Sequence, residues 1–301
     1  MNRRRNVFAT TTLVCLGTCA AQELEPRAYS VSPKGVNFVM FGFARSTGDL
    51  SFDPSLPIED ASAVMHGSFS AYAHTLDFFG RSANVAVTVP YLWGDVQGKV
   101  NGNPEQAHRS GLSNSAARFA VNLYGAPVMD LKEFARYREK TIVGASFVIV
   151  APLGQYDPSR FVNIGTNRWA AKPEIGISQR LGRWDFDLYF GVWIFSVNDN
   201  YQGRARKQDP ITSAQTHVSY SIRPRLWIAF DANFYTGGRT SVDGVPKNDL
   251  QRNSRLGGTI SIPVTKRQSL KFSGSSGAVT NIGADFVSLG VAYQYLWGGG
   301  L

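Results

Sequence analysis

Cysteine is almost missing from this chain: there are 2 in 301 residues, Cys15 and Cys19, both close to the N-terminus. A chain cut after Ala21 would contain none, so it needs no disulfide. Long hydrophobic runs are missing too. The longest, near Phe147 to Leu153, falls far short of the eighteen or so apolar residues of a membrane-spanning helix. Histidine is scarce, at 4 residues (His66, His74, His108 and His217), and neither an HExxH spacing nor a Cys/His cluster is present. The sequence therefore points to no metal site and no cofactor. The net charge is +9, but the lysines and arginines are spread among turns and strands, with no basic helix or patch, which argues against nucleic acid. With 43% hydrophobic and only 18% charged residues, disorder is excluded as well.

The N-terminus reads as an export signal. Arg3, Arg4 and Arg5 form a basic head, Val7 to Leu16 is mildly apolar, and Cys19-Ala20-Ala21 offers small residues for cleavage before Gln22. A lipoprotein with Cys19 acylated is the weaker alternative, because Thr18 is an awkward residue before such a cysteine. Removing the signal lowers the net charge to +6. The expected organisation is a signal peptide at 1–21, a short segment at 22–34 and one barrel domain at 35–297, since no linker or composition step divides the rest.

What the chain has in quantity is alternation of period two. About twelve segments of roughly ten residues alternate apolar with polar or small side chains, and successive side chains on a strand point to opposite faces. Trp184, Phe186, Leu188, Phe190, Val192 and Ile194 alternate with Asp185, Asp187, Tyr189 and Gly191. Trp169, Ala171, Pro173, Ile175 and Ile177 alternate with Arg168, Lys172, Glu174 and Ser178, and the last strand carries Val287, Leu289, Val291, Tyr293, Tyr295 and Trp297 on one face. The expected fold is all-β: a transmembrane antiparallel up-and-down barrel of about 12 strands. Strand two is expected to place His66, Ser68, Ser70, Tyr72 and His74 on one parity, taken as the polar lumen.

A soluble β-sandwich would also alternate, so other features must decide. Aromatic residues collect near strand ends on the apolar parity, at Tyr91, Trp93, Trp169, Trp184, Tyr220, Tyr293, Tyr295 and Trp297, as an interfacial girdle would. Connections alternate in length. They are tight at 180–183, 223–225 and 265–268, the expected periplasmic turns, and long at 46–61, 95–110, 154–166, 198–209 and 237–250. Residues 125–140 break this rule with a long periplasmic connection, in which Asp130 can cap a short helix through Leu131, Phe134 and Tyr137. The tight turns carry Arg180, Arg183, Arg223, Arg225, Lys266 and Arg267, which suits anionic lipid headgroups.

A charged residue facing lipid at the bilayer midplane costs about 2–4 kcal/mol for Arg or Lys, so the charged parity is expected inside. The candidate solute pathway is Arg118, Arg168, Lys172, Arg255 and Lys271 facing Glu174, Asp185, Asp187 and Asp231, with Tyr189 on the same face. These charges could filter solutes as a ring, or pair across strands and partly close the lumen. A barrel lipid hydrolase would use His74 or His217 with a lumenal serine, but such enzymes act on lipid from the outer wall, and both histidines are read as lumenal.

Several segments resemble a known family: ELEPRAYS at 23–30, FDPSLPIED at 52–60, APLGQYDP at 151–158, NIGTNRWAAKPEIGISQRLGRW at 163–184, NSRLGGTISIPV at 253–264 and IGADF at 282–286. Together they resemble the outer-membrane proteins of the MetA-pathway phenol-degradation family. The resemblance implies an outer-membrane barrel, labelled a transporter and in some members linked to aromatic-compound use, and it supplies no binding residues. The favoured reading is a non-enzymatic channel in the Gram-negative outer membrane for passive uptake of small aromatic or hydrophobic molecules. The alternatives are a narrow channel for small anions and a non-conducting structural barrel. The expected partners are outer-membrane lipids and lipopolysaccharide, the barrel-assembly machinery acting on the C-terminal strand, and a small-molecule solute. N-terminal sequencing of the exported protein is expected to begin at Gln22; a start at an acylated Cys19 would establish the lipoprotein alternative.

Overall fold

The computed structural model describes residues 24–51, 58–160 and 162–300, so the signal sequence lies outside the described residues. Seventeen strands and one short helix follow in order: β1 (Val36–Ser51), β2 (Ile58–Phe78), β3 (Arg81–Val100), β4 (Asn103–Leu112), β5 (Ser115–Tyr124), α1 (Leu131–Arg136), β6 (Thr141–Ala151), β7 (Ala170–Leu181), β8 (Trp184–Phe195), β9 (Asn198–Tyr201), β10 (Arg204–Gln208), β11 (Ile211–Arg223), β12 (Leu226–Gly237), β13 (Thr240–Val242), β14 (Val245–Pro246), β15 (Gln251–Pro263), β16 (Gln268–Val279) and β17 (Gly283–Gly298).

Every pairing is antiparallel, and the main sheet closes on itself through β1–β17 and β2–β3. β4 and β5 share one place in the ring, with β4 beside Tyr91–Val100 of β3 and β5 beside Ala83–Thr88. The wall thus has twelve strand positions, as expected. The break between β4 and β5 falls beside Pro90, whose carbonyl accepts from Ser113 N at 2.9 Å.

Alternation translates into two faces. Along β8 every second residue from Asp185 to Trp193 is buried, while Trp184, Phe186, Leu188, Phe190, Val192 and Ile194 are exposed on the outside. Apolar side chains exposed in this continuous way are what a lipid-facing band requires. Aromatic contacts mark both rims: Trp184 lies 4.8 Å from Tyr220 and Tyr295 5.8 Å from Trp297 at the short-turn end, and Tyr91 lies 6.1 Å from Trp93 at the other.

Two expectations need correction. First, the stretches read as long loops are largely strand. β1 runs on to Ser51, β3 and β4 form a protruding hairpin, and β9, β10, β13 and β14 make a separate four-stranded sheet above the barrel. The hairpins turn at Asn101-Gly102, Gln202-Gly203 and Asp243-Gly244, where both residues of each pair have positive φ. Such pairs match the twist of a two-residue hairpin, and glycine adopts this conformation without steric cost. Second, the parity of β2 is reversed. Its partners put Ser70 beside Phe41 and Val89, and His74 beside Asn37 and Val85, so His66, Ser68, Ser70, Tyr72 and His74 face outward. Serines are tolerated there, and the two histidines sit toward the ends of the span. His66 stacks on Trp93, and His74 Nδ1 lies 2.9 Å from Asn37 Oδ1. The inner face of β2 is apolar instead, with Met65, Phe69 and Ala71.

The helix forms as expected. Asp130 caps it, accepting from Glu133 N, while the Glu133 side chain returns to Asp130 N. It does more than decorate the rim: Phe134 and Tyr137 pack on the buried cluster of Tyr29, Val31, Ala126, Met129 and Ile142 at the short-turn end. Substituting Phe230, 56% exposed on the outer face, by Arg is expected to cost about 2–4 kcal/mol in unfolding from lipid vesicles. Ser273→Lys on the lumen face is expected to cost well under half as much in the same measurement.

Candidate functional site

The lumen is occupied by the chain's own N-terminal segment, and this is the main feature that the sequence reading missed. Lys34 N and Gly35 N donate to Met129 O and Thr75 O at 2.9 Å, which anchors the segment just before β1. From there it runs inward. The Tyr29 ring sits in a slot made by Gly144 and Gly176; a Cβ at these positions would come within 2.1 and 2.4 Å of ring carbons, so only glycine leaves room. Tyr29 is 1% exposed, meets Tyr189 edge-on at 5.1 Å, and its hydroxyl lies 3.1 Å from Glu174 Oε1.

Arg27 is the electrostatic anchor. Its Nη2 donates to Asp185 Oδ2 at 2.5 Å and to Ser221 Oγ at 2.8 Å, its Nε donates to Ser219 Oγ at 2.8 Å, and its backbone N donates to Asp187 Oδ2 at 3.1 Å. The guanidinium also lies 4.7 Å from the centre of the Trp227 ring. Its φ of 62° is unusual for a non-glycine residue and is held by these contacts. Beside this group, burial pushes the Glu139 carboxyl up and Asp185 adds to the rise, while Arg180 and Arg27 oppose it.

All ten residues expected to line the pathway belong to the inner face, or in the case of Arg168 to its margin before β7. They do not form one ring. Lys172 Nζ pairs with Glu174 Oε2 at 2.7 Å, and both side chains are buried. Asp185 and Asp187 bind Arg27 rather than Lys172. Asp231 accepts from Thr259 Oγ1 at 2.8 Å and lies 2.7 Å from His217 Nδ1, with His217 fully buried. Arg255 donates to Phe286 O at 2.6 Å and Ser288 Oγ at 3.0 Å, reaching from β15 across β16 to β17. Arg168 lies over the Phe195 ring and bonds Gln208 toward the long-loop mouth. Lys271 Nζ is 5.9 Å from the Trp227 ring, and Arg118 is 5.5 Å from that of Tyr29. Pairing thus accounts for most of these charges, and Arg118 and Lys271 are the exceptions that face the remaining space.

The opposite wall is unlike this one. At the long-loop end Val162 and Ile164 fold inward onto Leu50, Met65, Val96 and Phe286, so β1, β2, β3 and β17 present an apolar inner surface beneath a loop cap. Lower on this wall the Phe69 ring lies across Gly42, where an added Cβ would come within 2.1 Å of it.

A closed twelve-position barrel with an apolar outer band, aromatic rims and a self-plugged lumen defines a transmembrane β-barrel of the outer-membrane type. Residues 46–295 match the family described as "Putative MetA-pathway of phenol degradation", and the chain belongs to that family. Among curated proteins no sequence matches. Among solved structures it is similar to the COG4313 outer membrane channel from Pseudomonas putida F1, with a TM-score of 0.76 and 20% identity, covering 91% of this chain and 100% of that one. It is also similar to the transport unit of the autotransporter AIDA-I from Escherichia coli, with a TM-score of 0.52 and 9% identity over 91% of this chain and 94% of that one. At such identities these likenesses speak for the fold.

Removing the Arg27 side chain would strip buried Asp185 of its nearer cation and leave it only Arg180 at 3.7 Å; breaking a buried ion pair costs about 3–5 kcal/mol. Arg27→Ala is therefore expected to speed amide hydrogen exchange across residues 24–34 by at least tenfold while leaving exchange in β8 and β11 protected; unchanged exchange in the segment would show that Arg27 does not hold it.

Proposed function

We propose that this protein is a passive channel through which small molecules with an apolar part cross the Gram-negative outer membrane, to which an N-terminal signal exports it. The observation that carries this reading is the pair of unlike walls: a polar, charged wall on β7, β8, β11, β12 and β15 faces an apolar one on β1, β2, β3 and β17. A uniformly polar lumen suits hydrophilic solutes, whereas this one offers apolar contact along part of its length. The family description, which names phenol degradation, and the similar Pseudomonas putida protein, which is called an outer membrane channel, support the same reading.

A hydrolase fits the geometry less well. His74 does face the outer wall, from which such an enzyme would act, but its hydrogen bond is to Asn37, and His217 Nε2 has no hydrogen-bond partner; among the described residues neither histidine is hydrogen-bonded to a serine. The C-terminal strand β17 remains our candidate for recognition by the barrel-assembly machinery. Lipid and lipopolysaccharide contact is expected around the outer band. Of the basic turn residues, Arg225 instead donates to Thr265 O, 2.9 Å away, and so braces the adjacent turn.

In planar bilayers the purified protein is expected to give small discrete conductance steps. Tyr29→Ala, which empties the slot between Gly144 and Gly176, is expected to enlarge them at least threefold. Electrical silence of both proteins would contradict the channel reading and favour a structural barrel.

A further inference from the structure

Among its described residues the plugging segment brings one acidic side chain, Glu25, into the barrel. It is enclosed by the wall yet open to lumen water, and no described residue lies within hydrogen-bond or ion-pair distance of its carboxylate. The positive charges of Arg118, Lys172 and Lys271 all act on it. Arg118 and Lys172 flank the same residue of β6, Val148, one on each side, which places them roughly 10 Å apart across the wall. Lys271 approaches from β16.

These three cations differ in how they are balanced. Lys172 has Glu174 at 2.7 Å. Arg118 has a buried Nη2 with no hydrogen-bond partner, and Lys271 is open to the lumen, faced by Glu25 and more weakly by Asp231. The wall therefore leaves positive charge in the chamber, and the plugging segment supplies the facing anion. Apolar surface adjoins it directly: at the register of Lys271 the wall continues through Ala292 and Gly42 to Phe69, whose ring covers Gly42.

We propose that Arg118, Lys172 and Lys271 form a binding site for the carboxylate of a small amphipathic solute, with the Phe69 wall receiving its apolar part, and that Glu25 occupies this site as a tethered stand-in. The site deepens the channel reading and rests on it only for the route by which the solute enters. A carboxylate arriving in the chamber replaces the charge that Glu25 provides, so solute and plug compete for the same cations. A neutral molecule of the same shape gains the apolar contact alone.

Benzoate and its neutral near-isostere benzyl alcohol separate these terms. Binding to purified protein in micelles, followed by saturation-transfer NMR and equilibrium dialysis, is expected to show benzoate binding at least threefold tighter in Glu25→Gln than in the unaltered chain. Lys271→Met is expected to weaken benzoate at least tenfold, and benzyl alcohol should respond to neither change. Folding of each variant is checked by its heat-modifiable mobility on a gel, and Glu25→Gln, outside the wall, keeps the test valid if Lys271→Met fails to fold. Equal benzoate binding in Glu25→Gln and the unaltered chain, or no benzoate binding by either, would overturn the site. Benzoate binding with this pattern from a protein silent in bilayers would retain the site and reject the channel.

Discussion

Closure of the wall is the constraint on which the rest depends. Backbone N–H and C=O groups find no water partners in hydrocarbon, so a sheet that spans a bilayer must join its first strand to its last. Here β1 and β17 meet over sixteen consecutive residue pairs, from Val36 opposite Gly298 to Ser51 opposite Gly283. Once the ring is closed, every inward side chain faces every other across a confined space. Charges that an open sheet would leave in bulk water must then find partners within the barrel.

The inner surface meets that requirement in two ways. Some charges pair along the wall, as Lys172 does with Glu174 and His217 with Asp231. Others use the N-terminal segment: Arg27 satisfies Asp185 and Asp187, and Glu25 faces Arg118 and Lys271. The plug is thus an electrostatic complement to the wall as well as a steric block. The glycine slot around Tyr29 adds the shape that fixes its register. Plugging by complementary charge is reversible in a way that a packed core is not, because water and solute can replace the same contacts.

Much of the fold was legible in the sequence because a two-sided wall imposes strict alternation. β8 alone, with six apolar residues outward and Asp185, Asp187, Tyr189 and Gly191 inward, defines its two faces. The reading failed where that contrast is weak. On β2, serine and histidine at one parity and alanine, glycine and methionine at the other give no decisive amphipathic signal, and pairing with Phe41 and Val89 sets the orientation instead. The protruding hairpins were missed although Asn101-Gly102 and Asp243-Gly244 are recognisable hairpin turns, because both faces of strands above a membrane can be polar. The inward charges were identified residue by residue, but not their partners. Asp185 and Asp187 were expected to pair with charges of neighbouring strands, whereas the folded chain brings Arg27 to them across more than 150 residues.

The central claim is that residues near Glu25 lie inside the barrel, in a watery chamber of positive potential. Because the chain after Ala21 contains no cysteine, Glu25→Cys introduces one reporter thiol into the mature protein. Its reaction rates with an anionic and a cationic methanethiosulfonate of similar size measure access and local charge together. The account predicts modification slower than at an exposed loop cysteine and at least fivefold faster with the anionic reagent once the intrinsic reactivities of the two are matched. Modification at the rate of an exposed loop, with no preference of sign, would contradict it.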